Sequence, residues 1–162
     1  MKKRILSILL TLCMVLSIAP AAVFAEGTPT GTADDPILIS SAQELKNFAE
    51  RVNNGETTLC AKLTADIVLN DGTFDEDGNY TPGASSKDAE AWTPIGTEDN
   101  KEYSGTFDGK GHTIKGLYVK DRQYAGLFGC VMSNTAGKDK FEFTIKDLTV
   151  TGYIDINTDS GT

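Results

Sequence analysis

Between Leu59 and Leu69 the chain alternates without a break. Leu59, Ala61, Leu63, Ala65, Ile67 and Leu69 are apolar, and the residues between them, Cys60, Lys62, Thr64, Asp66 and Val68, are mostly polar. A period of two belongs to a strand with one buried face, so the pattern predicts a strand along this whole stretch. A different period precedes it. Ala42, Leu45, Phe48, Ala49 and Val52 recur at spacings of three and four, the apolar stripe of a helix. Ser41 with Glu44 three residues on reads as a capping box and Asn53-Asn54-Gly55 as a stop, which sets a helix at 41–53. Shorter apolar runs at 36–39, 141–145, 148–150 and 153–156 read as strands. The stretch 70–91 between them is a long polar insertion.

A third pattern returns. Thr113-Ile114-Lys115-Gly116-Leu117-Tyr118-Val119 is echoed 31 residues later as Thr144-Ile145-Lys146-Asp147-Leu148-Thr149-Val150. In each copy the apolar residues are spaced by three and then two, which in a flat strand would put Ile114 and Leu117 on opposite faces. A corner at Lys115-Gly116 and at Lys146-Asp147 restores a common face, and Gly and Asp tolerate the backbone such a corner needs. Short strands joined by corners and recurring in this way indicate a solenoid. The expected fold is therefore mainly β, a parallel coil of about three turns over residues 36–162, with Ile114 and Ile145 stacked in one inner column. A bare first turn would leave strand edges open, so the helix at 41–53 is read as its cap rather than as a partner-docking element. Nothing at Asp159-Ser160-Gly161-Thr162 resembles a second cap, and the domain is expected to be truncated there.

Met1-Lys2-Lys3-Arg4, an apolar run and the small residues before Ala25 have the form of a secretory signal peptide over 1–25; residues 26–35 read as a flexible leader. Removing 1–25 leaves 12 basic and 23 acidic residues, a formal charge of −11. Nucleic acid is a poor partner for that surface, and no membrane partner is expected after cleavage. Export permits a disulfide, yet Cys60 is out of phase with the inward set, and two unpaired thiols, Cys60 and Cys130, are the simpler expectation.

Candidate chemistry is sparse. The chain has one histidine, His112, and no HExxH, G-x-S-x-G or phosphate-cradling loop, so no catalytic residues and no cofactor are assigned. Asp75, Asp77 and Asn79 could offer oxygen ligands to a structural Ca²⁺, but Ser86 stands where a bidentate Glu belongs, and Gly78 comes two places early. Trp92, Tyr103, Tyr118 and Tyr124 could contact a ligand as flat faces for sugar rings; for Trp92, packing of the insertion against the coil is the favoured reading. A polysaccharide-active enzyme, lyase or glycosidase, would require Asp66, Asp108, Lys110 and Lys146 to converge on one exposed face.

At 92–96 (WTPIG), 103–114 (YSGTFDGKGHTI) and Gly126-Leu127-Phe128-Gly129, and in the order of these motifs after Pro36–Ser40, Glu44-Leu45 and Lys62–Ile67, the chain resembles the N-terminal region of exported bacterial surface proteins with GLUG-type repeats. One Gly-Leu-Phe-Gly is present where arrays hold several. The resemblance implies a right-handed parallel β-helix of the pectin-lyase type and a non-catalytic structural, adhesive or presenting role, secreted or at the cell surface. A carbohydrate or a host or matrix protein would be its partner, and further repeats or domains would continue the chain. A carbohydrate-binding module and the polysaccharide-active enzyme remain as rival expectations.

Overall fold

The computed structural model of the chain describes residues 28–85, 87–97, 100–132 and 144–155. The expected signal peptide, the first residues of the strand expected at 141–145, and Ile156 lie outside the described residues. Strand β1 (Ile37–Ile39) leads into helix α1 (Ala42–Asn53), then β2 (Ala61–Leu63), β3 (Ile67–Val68), β4 (Thr73–Phe74), β5 (Tyr80–Thr81), β6 (Thr106–Asp108), β7 (Thr113–Lys120), β8 (Thr144–Lys146) and β9 (Thr149–Asp155). Among the described residues the fold is mainly β with a single helix.

Two parallel sheets carry it. One has the order β1-β2-β6-β8 and the other β3-β7-β9, and every neighbouring pair within them is parallel. From β2 onward the chain visits the first sheet and then the second, three times over: β2 then β3, β6 then β7, β8 then β9. Inward side chains follow from the register. Ala61, Phe107 and Ile145 lie in line across one sheet, and Ile67, Ile114 and Val150 across the other. A third set of contacts runs through 92–96 and 126–129, where Ile95 bridges Phe128 in parallel and the Ile95 amide donates to the Leu127 carbonyl at 2.9 Å. Two of the motifs behind the family resemblance therefore lie on one another.

Helix α1 forms for the reasons its sequence states. Ser41 is extended and its hydroxyl accepts from the Glu44 amide at 3.3 Å. The Glu44 carboxylate reaches back to the Ser40 amide at 2.7 Å and the Ser40 hydroxyl at 2.8 Å, one residue earlier than a capping box requires. Leu45, Phe48, Ala49 and Val52 are buried, and the Phe48 ring meets Tyr103 and Phe107 at 5.9 and 5.8 Å.

Three expectations need correction. The strand predicted over Leu59–Leu69 breaks into β2 and β3 in different sheets, with a corner at 64–66; Leu59, Ala61, Leu63 and Ile67 are nonetheless all buried, because the corner keeps the inward phase. The 31-residue echo does not stack. Thr144 lies against Thr106, 38 residues before it, and Thr149 against Thr113, 36 residues before it, so Ile114 and Ile145 stand in different sheets. Both corners are real, since Gly116 and Asp147 have φ of +69° and +51°, but the first is a bulge within β7 and the second turns the chain from β8 to β9. Local sequence determined the bend, and loop length determined the register. Finally, residues 28–35 do not stand apart as a leader: the Thr30 amide and hydroxyl donate to the Asp35 carboxylate, and the Gly31 carbonyl accepts from the Cys60 amide at 2.7 Å.

Candidate functional site

A group of charges gathers on the outer face of the first sheet. Register places Lys62, Asp108 and Lys146 side by side on β2, β6 and β8. Lys110 returns from the following turn, where its φ of +53° folds the chain back: its amide donates to Asp108 Oδ1 at 3.0 Å and its ammonium lies 3.0 Å from Oδ2. The Lys146 ammonium reaches the same Oδ2 at 3.4 Å. Asp108 is thereby covered to 12% side-chain exposure while the two lysines remain 54% and 48% exposed. Burial pushes the Asp108 carboxyl up, but the hydrogen bonds from Lys110 and Lys146 outweigh it and hold the group below its ordinary value. The four residues line a cleft of about 340 Å³ together with Asp34 and Thr106.

Of the residues required to converge for an enzyme, Asp108, Lys110 and Lys146 do so and Asp66 does not. Asp66 sits on the corner between β2 and β3, accepts from the Thr113 amide at 2.9 Å and lies 3.2 Å from His112 Nδ1. Those bonds, the Thr113 amide first, lower its pKa.

The four candidate aromatic residues form no common platform. Trp92 is 4% exposed and Tyr103 fully buried; the Trp92 indole donates to the Leu127 carbonyl at 3.0 Å and the Tyr103 hydroxyl to the Leu59 carbonyl at 2.9 Å. Both belong to the core, so neither offers a face to a sugar. Tyr124 is half-buried. Tyr118 is half-buried too, and it stacks on Phe74 at 5.1 Å, as does Tyr153, its in-register neighbour on β9, at 5.5 Å. Phe74 fastens the hairpin of the insertion to the coil, and Trp92, buried where the insertion ends, packs there as well.

That insertion contains a hairpin, β4 with β5, whose turn is 75–79. Asp75 Oδ1 accepts from the Asp77 and Asn79 amides at 3.0 and 2.8 Å, and Oδ2 from the Asn79 side chain at 3.0 Å. The Asn79 side chain is the first cause of the lowered Asp75 pKa. The carboxylate thus closes a turn, which is a structural role. Among the described residues no group of three or more His, Cys, Asp or Glu is placed to hold a metal. Cys60 and Cys130 are not joined to each other by a disulfide.

Several working residues escaped the sequence reading. Asn70, 5% exposed, staples the two ends of the insertion: its Nδ2 donates to the Glu90 and Gly116 carbonyls and its Oδ1 accepts from the Glu90 amide at 2.7 Å. Asn53 does the same for 92–96, donating to the Pro94 carbonyl and accepting from the Gly96 amide. The hairpin did leave a signal, Asp77-Gly78 between Phe74 and Tyr80. For the asparagines there was none, because their partners are distant in sequence.

With this geometry in view, comparison with known proteins gives one curated relative. Over 148 residues, 87% of this chain, the sequence is 33% identical to Halomucin of Haloquadratum walsbyi, and the match spans 1% of that protein's length. No family model matches the chain, and no solved structure matches it significantly. Among the described residues no helix is long and apolar enough to cross a membrane.

Proposed function

We propose that this chain is a non-catalytic, exported region of a cell-surface protein, wound as a right-handed parallel β-helix of the GLUG-repeat kind and capped by α1, whose outer face and loops make the contacts. The observation that carries the reading is the similarity along 87% of the chain to a stretch of the protein named Halomucin. The strands that alternate between two parallel sheets support the winding. Asp66 and Asp108 are both held below their ordinary pKa, so neither is poised as a general acid at neutral pH, which needs a raised value.

Expression from Met1 in a bacterial host tests export. The expected product lies outside the cytoplasm and begins at Glu26 by intact mass; a cytoplasmic product retaining residues 1–25 would refute the reading. Incubation with acidic and neutral polysaccharides is expected to release neither unsaturated products nor new reducing ends.

A further inference from the structure

The lysines around Asp108 exceed what that carboxylate needs. One ammonium neutralises one buried carboxylate, yet two meet its Oδ2 and a third, Lys62, stands on the neighbouring strand in direct register with Asp108. Strands in a sheet are spaced by about 4.8 Å, so Lys62 and Lys146 flank Asp108 with their backbones about 10 Å apart, and Lys110 closes the space from the turn. Each ammonium carries three donors. Lys110 and Lys146 direct part of that capacity at Asp108, and about half of each side chain stays open to solvent.

The lining sets three lysines against two carboxylates, Asp34 and Asp108, with Asp35 also within electrostatic reach of Lys62, and so carries one positive charge in excess on a chain of formal charge −8. A recess of about 340 Å³ lies between them, near the lower end of the size range of small-molecule sites. Its rim also bears Asp34 and the Thr106 hydroxyl. A second carboxylate at the rim repels a densely charged anion, but it accepts hydrogen bonds from hydroxyl groups. The lining therefore suits a ligand with one negative charge and several hydroxyls.

We propose that the cleft formed by Lys62, Asp108, Lys110 and Lys146 binds an acidic saccharide, a sugar ring bearing one carboxylate or sulfate, with the anion on the ammoniums and the hydroxyls on Asp34 and Thr106. This deepens the contact role proposed above and rests on it only in that the ligand is held and not converted. Product analysis of the same samples separates the two: turnover of a bound sugar would overturn the non-catalytic role and leave the site standing.

The test is a titration of the full chain at low ionic strength, followed by NMR or calorimetry, with glucuronate, glucose 6-sulfate, glucose and a short glutamate peptide. Saturable binding of the two acidic sugars, weakened by salt and absent for glucose, is expected. Lys146→Gln and Lys62→Gln should each weaken it by about tenfold, the range of a lost charged hydrogen bond, and Lys120→Gln should leave it unchanged. Lys62 does not cover Asp108, so its variant keeps the test informative if Lys146→Gln unfolds. Asp108→Asn frees both ammoniums and should tighten binding. The proposal fails if no acidic sugar binds saturably, if glucose binds as well as glucuronate, if the peptide binds more tightly than either sugar, or if Lys62→Gln and Lys146→Gln keep full affinity.

Discussion

Two asparagine side chains serve as substitutes for backbone. An amide side chain has one acceptor and two donors, the same groups that a neighbouring strand would present, and Asn70 and Asn53 use them to hold the loop segments at Glu90 and at Pro94 and Gly96. Asn70 matters more because it is buried and its three partners are main-chain groups of Glu90 and Gly116. Gly116 is fitted to this contact: its φ is +69°, and a Cβ there would collide with the Asn70 carbonyl. Asn70→Ala is expected to cost about 1–3 kcal/mol for the groups left unpaired, read as a lower urea midpoint at unchanged m-value. It should also speed proteolysis within 71–89. A midpoint equal to that of the parent would show that the staple contributes nothing.

At the scale of elements, the strands are short because each is one side of a corner, and their positions in the stack set their energetic weight. Ile114 and Val150 occupy the same column, yet Ile114 is fully buried and Val150 is 37% exposed. Ile154, across from the buried Val119, is 43% exposed. The inward residues of β9 thus have a coil beneath them and, among the described residues, none above. Ile114→Ala should cost about 2–5 kcal/mol, as for other buried aliphatic truncations, whereas Val150→Ala should stay below about 1 kcal/mol. Comparing the two denaturation curves checks the difference; equal losses would mean that Val150 is as deeply covered as Ile114.

For the whole molecule, acid is the condition that separates electrostatic from apolar contributions. Asp66 and Asp108 are both held below their ordinary value of 3.8, Asp66 by the Thr113 amide and His112, Asp108 by its two lysines against the opposing effect of burial. A depressed folded-state pKa means that the unfolded chain takes the proton first. The stabilisation is therefore complete above about pH 4 and is lost as pH falls through the folded-state values. Urea midpoints should drop below about pH 4, and the Asp66→Asn, Asp108→Asn double variant should lose less than the parent over that range; an identical drop in both would remove these groups from the account. The same comparison of local with distant forces explains which features the sequence carried. The helix, its Ser41 cap, the corners at Gly116 and Asp147 and the buried residues of β2, β3 and β7 were all readable, since each depends on neighbours within a few positions. Which strand lies on which was not, because loops of unequal length shift the register away from the 31-residue echo. The same holds for the convergence of Lys62, Asp108, Lys110 and Lys146 and for the burial of Tyr103, where stacking brings together residues tens of positions apart. Periodicity decided the inward face of each strand in this protein, and only the closing of the loops decided what that face, and the charged one behind it, would meet.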